Sequence, residues 1–290
     1  MKVIIPLAGQ GIRLLPYTEK RQKALLPVCD KPVLDHVLHP FIEAGIRDIS
    51  MVIGHLGDQI KDYMAKYSDL RIKYIAQPQQ RGLGEAVFLG LENESEPMVI
   101  ILSDTILEMD FGGFIQEEGN LLGVMEVEDP RRFGVVETEG RQILSMIEKP
   151  VKPISNLAIS GIYRIEQPKK LREALNSIMM SEIKTKGEFQ LTDALNHMLE
   201  AGDEFRTFPV DRWLDCGTKE SLLSTNSYLL QKMGGEYVHP DATVVNSTLR
   251  SSSVMEGCHI SNCTLDNSVV LPGTRLEDRY IQDEIIEAGE

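Results

Sequence analysis

Apolar and polar positions alternate with two different periods up to about residue 105. Short apolar runs predict buried strands, and the segments between them carry apolar residues at helical spacing. The predicted strands are 2–7, 48–53, 71–76 and 98–103, and the predicted helices are about 32–44, 57–67 and 83–92. This alternation is typical of βαβ units, which build a parallel sheet with helices on both faces. Ligands of such sheets bind beyond the carboxyl ends of the strands, so we expect the loop at 8–13 and Ser103–Thr105 to converge.

The pattern changes after residue 120, where strands predominate before helices return. The predicted strands are 121–128, 133–138, 142–148, 157–165 and 204–210, and the predicted helices are about 168–181, 190–201 and 218–233. These elements indicate the α/β fold class with a Rossmann-like mixed sheet, and residues 1–233 are predicted to form one large domain.

A third pattern follows Gly234 and Gly235, with apolar residues at every fifth or sixth position and small polar residues between them. The apolar positions are Val238, Val244, Leu249, Val254, Ile260, Leu265, Val270, Leu276 and Ile281. A period near six is typical of a hexapeptide-like β-helix, here predicted at 236–285 with two to three coils and followed by a tail at 286–290. A loosely ordered tail with chance periodicity is the alternative.

Charge and composition restrict the partners. The net charge of −14 argues against nucleic acid, yet residues 1–32 hold six Lys and Arg against two acids. A positive segment in an acidic body suits a small anionic ligand. No apolar run is long enough for a membrane span, and the N-terminus lacks a signal-peptide pattern, so we expect a cytoplasmic protein without a membrane partner.

The four scattered cysteines contain no CxxC pair and indicate neither a zinc site nor a disulfide framework. We expect them to be small core residues. A metal fragment formed by Cys258, His259 and Cys263 is the alternative.

The first candidate site is the loop that follows strand 2–7. Gly9 and Gly11 allow the backbone to approach a ligand closely, and exposed N–H groups in such a loop bind anions. Arg13 and Lys23 would add two positive charges, so the expected ligand is a polyphosphate. The loop is neither a GxGxxG fingerprint, because Leu14 holds the third glycine position, nor a P-loop. Taken alone, the loop is better interpreted as a tight turn, and its coupling to Arg13 and to the segment that begins at Lys23 favours a ligand site.

Two further segments carry candidate ligand groups. Gln77 offers both a donor and an acceptor for the edge of a pyrimidine, and Gly82 permits close backbone approach. Asp104 follows a buried strand, and Asp215 lies in a glycine-flanked turn. Two aspartates with phosphate oxygens form an ordinary Mg²⁺ site, although a helix cap or a turn explains each aspartate alone.

A fourth segment carries groups suited to a sugar. Glu148, Lys149 and Asn156 provide acceptors and donors, and Lys149 could hold a sugar phosphate. The nearby stretch Glu188–Asp193 has the pattern of a capping segment before a helix, with a ligand role as the alternative.

In chain order these elements resemble the sugar-1-phosphate nucleotidylyltransferases, in particular the glucose-1-phosphate thymidylyltransferases and uridylyltransferases. The resemblance covers residues 1–233 and rests on the motifs AGxGxR, KxLLPV, QPxxxGLGxA, SDT, FGVV, EKP, SNLAxxGIY, EFQLTD and WLDCGT in the order of the family. Residues 238–285 resemble the short left-handed β-helix tail of some members.

The resemblance implies roles for particular residues. The triphosphate loop corresponds to Leu7, Ala8, Gly9, Gly11 and Arg13, the phosphate lysine to Lys23, the base-reading positions to Gln77 and Gly82, the magnesium ligands to Asp104 and Asp215, and the sugar contacts to Gly134, Glu148, Lys149, Asn156 and Gly161. Arg13, Lys23 and Lys149 are the catalytic cations. The implied partners are a nucleoside triphosphate and a sugar 1-phosphate, and Mg²⁺ is the implied cofactor.

Several positions depart from the family pattern. Gln10 and Ile12 alter the common GGxGTR loop and remove a threonine contact, and Gln22 replaces a proline before the lysine. Ser103 and Thr105 replace the glycine and asparagine that commonly flank the metal aspartate. No departure removes a charged group, so we expect an active enzyme whose base and sugar stay open.

The implied reaction joins a nucleoside triphosphate, most simply dTTP or UTP, to glucose 1-phosphate by in-line transfer and releases pyrophosphate. Another nucleotide and sugar pair, such as mannose or N-acetylglucosamine 1-phosphate, and a non-catalytic regulatory homologue are the alternatives. An acyltransferase acting from the β-helix would need His239 or His259 as base and more than two to three coils. We expect the β-helix to contact another subunit in a homo-oligomer.

Overall fold

The computed structural model describes residues 1–92 and 95–287. The chain divides into two compact units. Unit 1 comprises Met1–Gly9, Leu38–Ser103 and Leu107–Trp213, and unit 2 comprises Gln10–Val37, Asp104–Ile106 and Leu214–Glu290. The predicted division into segments 1–233, 236–285 and 286–290 stays a prediction, and residues 288–290 of the predicted tail lie outside the described residues.

Strands and helices alternate up to residue 233. The strands are β1 (Lys2–Leu7), β2 (Pro27–Val28), β3 (Lys31–Pro32), β4 (Asp48–Ile53), β5 (Arg71–Ala76), β6 (Met98–Ile101), β7 (Thr105–Glu108), β8 (Asn120–Glu126), β9 (Gly134–Glu139), β10 (Gln142–Glu148), β11 (Leu157–Ile165), β12 (Phe205–Pro209) and β13 (Arg212–Asp215). The helices are α1 (Val33–Glu43), α2 (Gly57–Met64), α3 (Leu83–Gly90), α4 (Phe111–Gln116), α5 (Pro168–Met180), α6 (Leu191–Glu200) and α7 (Lys219–Met233). Short 3₁₀ turns occupy Ile12–Leu14, Tyr17–Glu19, Lys23–Leu25 and Pro130–Arg132.

Nine of the described strands form the sheet of unit 1, in the order β5-β4-β1-β6-β11-β8-β12-β10-β9. The pairs among β5, β4, β1 and β6 are parallel, and so is β8 with β12. Strand β11 is antiparallel to β6 and β8, and β10 is antiparallel to β12 and β9. The predicted α/β fold with a Rossmann-like mixed sheet is therefore confirmed.

Helices α3, α5 and α6 pack on this sheet through fully buried apolar side chains. Val87, Leu175 and Leu195, one from each helix, are 0% exposed. Burying such a side chain stabilises the fold by about 1.5–3 kcal/mol. Helix α3 lies so close to β1 that a Cβ on Gly90 would come within 2.8 Å of Ile4 Cγ2. Glycine at 90 therefore allows the helix to approach the sheet.

The C-terminal part of unit 2 is a short β-helix. Its strands are β14 (Tyr237–Val238), β15 (Thr243–Val245), β16 (Thr248–Arg250), β17 (Ser253–Val254), β18 (His259–Ser261), β19 (Thr264–Asp266), β20 (Val269–Val270), β21 (Arg275–Glu277), β22 (Tyr280–Gln282) and β23 (Ile285–Ile286). They form three parallel sheets, β14-β17-β20-β23, β15-β18-β21 and β16-β19-β22, one for each side of the coil. The predicted β-helix is confirmed, and its last strand reaches Ile286, one residue beyond the predicted boundary.

The period of five to six predicts the inner face well. Ile260, Leu265 and Val270 belong to the buried apolar cluster of the β-helix, together with Cys258 and Cys263. All four cysteines are free and buried, as expected for core residues. Val238 departs from the pattern, since it is 37% exposed in the first coil.

Asparagine and aspartate form the corners of the β-helix. Asn262 and Asn267 have positive φ angles of 52° and 44°. Asn and Asp tolerate this left-handed backbone better than other residues with a Cβ. Asn262 Nδ2 donates to Asp278 Oδ1 at 2.9 Å and Asn267 Nδ2 donates to Asp283 Oδ1 at 2.7 Å, each across one coil of 16 residues. The small polar residues between the apolar positions therefore make the turns and connect the coils.

A buried asparagine connects the β-helix to the rest of unit 2. Asn226 of α7 is 0% exposed. Its Oδ1 accepts from the Cys29 N–H at 2.7 Å and from Ser253 Oγ at 2.7 Å. One side chain thus joins the β2–β3 hairpin, helix α7 and strand β17.

Most predicted strand boundaries are correct within a few residues, but several short elements were not predicted. These are β2, β3, β7, β13 and α4. Strand β6 ends at Ile101 rather than at the predicted residue 103, because Ser103 and Asp104 lie in a turn before β7. Within the described residues, none of the helices combines the length and apolarity that crossing a bilayer requires.

We predict that Leu265→Ala lowers the free energy of unfolding by about 2–5 kcal/mol, because it leaves a cavity in the inner face of the β-helix. Thermal and urea unfolding followed by circular dichroism measure the loss. Val245→Ala is the matched control, because Val245 lies in the same β-helix but is 48% exposed. An equal loss from both substitutions would contradict the assigned inner face.

Candidate active site

The loop after β1 requires glycine at residue 11. Gly11 has a φ of +68°, and a Cβ there would lie 3.0 Å from Thr18 Cγ2 and 3.1 Å from Lys23 Cβ. Thr18 Oγ1 donates to the Gly11 carbonyl oxygen at 2.9 Å. The backbone at Gly11 is therefore packed directly against the turn that carries Lys23.

Lys23 forms an ion pair with Asp104. Lys23 Nζ lies 2.8 Å from Asp104 Oδ2, and the two side chains are only 17% and 19% exposed. Gln22, which replaces the family's proline, accepts a hydrogen bond from the Ala24 N–H through Oε1 at 2.6 Å and so caps the 3₁₀ turn of Lys23. Burial alone would raise the pKa of Asp104, but the charge and hydrogen bond of Lys23 and the charge of Arg13 hold it below its ordinary value.

Asp215 lies next to this pair at the end of β13. The Cys216 N–H donates to the Asp104 carbonyl oxygen at 2.9 Å, which brings the two aspartates into neighbouring positions. Asp215 Oδ1 accepts from the Gly217 N–H at 3.1 Å. Burial, and then the charge of Asp104, raise the pKa of the Asp215 carboxyl.

Gly217 leaves space for Arg13. A Cβ on Gly217 would lie 2.7 Å from Arg13 Nη2 and 3.0 Å from Asp215 Oδ1. Unit 2 therefore gathers two cations and two carboxylates, which we call the phosphate cluster: Arg13, Lys23, Asp104 and Asp215. The predicted convergence of the 8–13 loop with Ser103–Thr105 holds for Arg13 and Asp104.

The phosphate cluster fits Mg²⁺. Its two partly buried carboxylates are close enough for one to raise the pKa of the other, and a bound cation would relieve their repulsion. Mg²⁺ is typically held by one or two carboxylates together with substrate phosphates and waters. Within the described parts of the chain, no group of three or more His, Cys, Asp or Glu residues could hold a metal ion. A cation on Asp104 and Asp215 would therefore take its other ligands from substrate and water.

The first residues of the predicted triphosphate loop belong to unit 1. Leu7, the last residue of β1, is 0% exposed, and Ala8 is 2% exposed. The Ala8 carbonyl oxygen accepts from Gln80 Nε2 at 2.8 Å, and a Cβ on Gly54 would lie 2.9 Å from Ala8 Cβ. Gly9, the next residue, is exposed. The chain therefore passes from the fully buried Leu7 to the exposed Gly9 within two residues.

The predicted base-reading residues are nearly buried in unit 1. Gln77 is 5% exposed, and its Nε2 donates to Glu85 Oε2 at 3.0 Å and to the Gly82 carbonyl oxygen at 3.3 Å. Gly82 has a φ of +118°, and a Cβ there would lie 2.5 Å from the Phe189 carbonyl oxygen. Gln77 was predicted to offer a ligand both a donor and an acceptor, but its donor is used within the protein.

The predicted sugar residues centre on Glu148. Its Oε2 accepts from Thr192 Oγ1 at 2.8 Å, and its Oε1 lies 3.2 Å from Lys149 Nζ. Gly134 pairs with Glu148 across β9 and β10, and a Cβ on Gly134 would lie 3.2 Å from Glu148 Oε2. Gly134, Glu148 and Lys149 are therefore brought together, with Thr192 as an additional member. The segment Glu188–Asp193 leads into α6 as predicted, but its capping role is not seen, because the N-cap residue Gln190 makes no side-chain hydrogen bond to the helix.

The charge of Glu148 changes the pKa values of two neighbouring groups in unit 1. Burial, and then the charge of Glu148, raise the pKa of Tyr163. Burial also raises the pKa of the Asp193 carboxyl, and the charge of Glu148 adds to the effect. The negative charge of Glu148 thus favours the protonated, neutral forms of Tyr163 and Asp193. Lys149 supplies a positive charge beside it.

The remaining two sugar residues contribute their backbone to β11 and its neighbours. Gly161 has a φ of +87° where the β11–β8 register shifts between Ile159 and Tyr163, and its carbonyl oxygen accepts from the Leu102 N–H at 2.9 Å. Asn156 is exposed, and its carbonyl oxygen accepts from the Val127 N–H at 3.0 Å. Among the hydrogen bonds and ion pairs of the described residues, none joins Asn156 or Gly161 to Glu148.

Three residues that form hydrogen bonds to predicted site residues were not predicted from the sequence. Gln80 holds Ala8, Glu85 holds Gln77, and Thr192 holds Glu148. Thr192 is a specified residue of the motif EFQLTD, whereas Gln80 and Glu85 occupy unspecified positions of QPxxxGLGxA, so the motifs carried a signal for Thr192 alone. Burial of Glu85, at 9% exposure, could not be anticipated from a glutamate in the first turn of a helix.

This chain is similar in sequence to the nucleotidyl transferase family and to known proteins. The sequence model of the nucleotidyl transferase family matches residues 2–232. Bifunctional protein GlmU of Methanococcus vannielii is 33% identical over 80% of this chain and 56% of its own length. Glucose-1-phosphate thymidylyltransferase of Streptomyces griseus is 29% identical over 97% of this chain and 81% of its own length. The chain spans about 55% of the length of the GlmU relatives it matches.

A solved structure shows the same fold. The crystal structure of a UDP-glucose pyrophosphorylase complexed with UDP-glucose superimposes with a TM-score of 0.69 and 26% sequence identity. The match covers 80% of this chain and 98% of that one. The similarity to relatives thus extends from sequence motifs to the arrangement of the sheet and helices.

We predict that the two aspartates of the phosphate cluster have opposite effects on stability at pH 7. The folded state raises the pKa of Asp215, so its ionised form disfavours folding above that pKa, and Asp215→Asn should raise Tm. The folded state lowers the pKa of Asp104, so its ionised form favours folding above the unfolded-state pKa, and Asp104→Asn should lower Tm. Calorimetric Tm values at pH 7 test the signs.

The exposed Asp62→Asn serves as control for the loss of one negative charge. The effect of Asp215→Asn should shrink as the pH falls through the raised folded-state pKa of Asp215, whereas the effect of Asp104→Asn should persist down to the ordinary range of aspartate and fade only below it. Shifts of the same sign in Asp104→Asn and Asp215→Asn would contradict the assigned electrostatics.

Proposed function

The chain belongs to the nucleotidyl transferase family of sugar-1-phosphate nucleotidyltransferases, and we propose that it joins glucose 1-phosphate to dTTP or UTP. The products are a nucleoside diphosphate glucose and pyrophosphate. The observation that carries the proposal is the phosphate cluster, in which Arg13 and Lys23 lie beside the carboxylates of Asp104 and Asp215. Cations for phosphates and carboxylates for a metal are what a reaction between two phosphate esters needs.

The proposed reaction needs no covalent protein nucleophile. An oxygen of the sugar phosphate, already an anion, attacks the α-phosphorus of the nucleoside triphosphate, and the bond from the α-phosphorus to the bridging oxygen of the leaving pyrophosphate breaks. Because the two substrates are both polyanions, their repulsion is the main obstacle. The protein's contribution is therefore positioning and charge neutralisation.

Each group of residues has one role in this proposal. Arg13 and Lys23 hold the triphosphate and the departing pyrophosphate, while the Gly11 backbone approaches the phosphates. Lys149 holds the sugar phosphate next to Glu148, and Gly134, Asn156 and Gly161 complete the sugar contacts. Gln77 and Gly82 contact the base. Mg²⁺ would be held by Asp104 and Asp215 and would supply stabilisation of charge on the phosphates.

The Lys23–Asp104 ion pair fits this division of roles. Each partner alone would be a partly buried charge, and burial of an unpaired charge is costly. A phosphate can replace Asp104 as the partner of Lys23, and a cation can replace Lys23 as the partner of Asp104. The pair therefore keeps both groups in place for their proposed ligands, and Lys23 lowers the pKa of the Asp104 carboxyl.

We also propose that the protein is a cytoplasmic homo-oligomer in which the β-helix contacts a second subunit. The alternatives of mannose or N-acetylglucosamine 1-phosphate as acceptor are decided by the first experiment below.

The experiment is a pyrophosphate-release panel of five nucleoside triphosphates against glucose, mannose, galactose and N-acetylglucosamine 1-phosphates in the presence of Mg²⁺. We expect turnover with glucose 1-phosphate and dTTP or UTP to exceed that of the other pairs. Preferred turnover with another sugar phosphate would contradict the choice of glucose. No release with any pair would contradict the proposed reaction.

We predict that Lys23→Ala or Arg13→Ala lowers kcat by roughly 10²–10³, the usual effect of removing one preorganised group at a developing charge. Steady-state kinetics with the preferred pair measure the change. Lys169→Ala removes an exposed lysine of α5 and should leave kcat unchanged. Normal turnover by both cluster variants would contradict the phosphate assignment.

A further inference from the structure

The side-chain amide of Gln77 is fixed by the protein in one orientation. Both hydrogens of Nε2 point to acceptors of unit 1, since Nε2 lies 3.0 Å from Glu85 Oε2 and 3.3 Å from the Gly82 carbonyl oxygen. A carboxylate and a carbonyl can only accept hydrogen bonds. A flipped amide would place Gln77 Oε1 against two oxygens without a hydrogen between them. The orientation is therefore set by the chemistry of the neighbours.

Glu85 is itself held in place. It is 9% exposed, and its Oε1 accepts from Arg81 Nη1 at 3.1 Å. The Arg81 guanidinium lies 4.9 Å from the centre of the Phe189 ring, which adds a second contact to the cation. Arg81, which is 41% exposed, thus forms an ion pair with one carboxylate oxygen of the buried Glu85, and the other oxygen accepts from Gln77.

With Nε2 committed, Gln77 has only Oε1 to offer a ligand. An acceptor oxygen recognises an N–H donor. Uracil and thymine carry such a donor at N3, whereas cytosine carries a lone pair at the same position and adenine carries one at N1. The donor distinguishes uracil from cytosine at nearly equal size and shape.

We propose that Glu85 is a positioning residue that restricts Gln77 to accepting, so that the site takes nucleotides whose pyrimidine carries an N–H donor at N3 and rejects cytidine nucleotides, which carry a lone pair there. The inference rests on the proposed function, in which Gln77 contacts the base. Cytosine at this place would set a lone pair against Oε1 and leave both groups unpaired, which typically lowers affinity by about ten- to a hundredfold.

The test compares kcat/KM for UTP, dTTP, CTP and N3-methyl-UTP with the sugar phosphate that the panel identifies. The wild-type protein should prefer UTP and dTTP over CTP and N3-methyl-UTP by at least about tenfold. N3-methyl-UTP retains both carbonyl oxygens of uracil, so its rejection reports on the N3 donor.

Glu85→Gln examines the positioning role. A neutral amide at 85 offers a donor as well as an acceptor, so Gln77 can turn and present Nε2 to a ligand. The ratio of kcat/KM for UTP over CTP should fall by about tenfold, with most of the change in KM. Glu173→Gln removes an exposed glutamate of α5 and should keep the wild-type ratio. Arg81→Gln loosens Glu85 without changing it and should shift the ratio in the same direction by a smaller factor, and it replaces Glu85→Gln if that variant does not fold.

An unchanged UTP to CTP ratio in the folded variants would overturn the positioning role of Glu85. Equal use of UTP and CTP by the wild-type protein would overturn the donor requirement while leaving the proposed reaction intact. Isothermal titration with UTP and CTP makes the same comparison without turnover. If no pair releases pyrophosphate, the proposed function fails, and the titration still decides the base preference.

Discussion

A lysine and an aspartate at 2.8 Å, both less than one fifth exposed, determine how the phosphate cluster is arranged. A cation for phosphate and a carboxylate for a metal must be kept close to each other, yet each is costly to bury alone. Pairing Lys23 with Asp104 allows both charges to be partly buried next to each other. Lys23 lowers the pKa of Asp104, while burial and the charge of Asp104 raise the pKa of Asp215. The cluster is therefore a set of coupled charges.

The supports of this pair extend across unit 2. Gly11 allows the loop after β1 to pack on Lys23, and Gln22 caps the turn that carries it. The turn leads into the β2–β3 hairpin, whose Cys29 N–H is bound by Asn226, and Asn226 also accepts from Ser253 of the β-helix. The β-helix is thereby part of the structural support of the Lys23 segment, a role that its position at the end of the sequence does not suggest.

The sequence predicts the regular elements and the chemical character of the site, because both depend on local patterns. Strand boundaries such as Lys2–Leu7 follow from apolar runs, and the β-helix follows from a regular spacing of nine apolar positions. The orientation of Gln77 could not be predicted, since it depends on a buried glutamate eight residues away that reads as an ordinary helix residue. Likewise Thr192 fits a capping pattern, and only the three-dimensional fold brings its hydroxyl to Glu148. Short elements such as β7 and β13 lack a sustained period and were missed for that reason.

We propose that the phosphate cluster holds the triphosphate and its metal ion. A crystal structure of the protein with a non-hydrolysable nucleoside triphosphate and Mg²⁺ is the decisive experiment. We expect phosphate oxygens within hydrogen-bond distance of Lys23 and Arg13, and the metal ion on Asp104 and Asp215. A triphosphate bound elsewhere, with the Lys23–Asp104 ion pair intact, would contradict it.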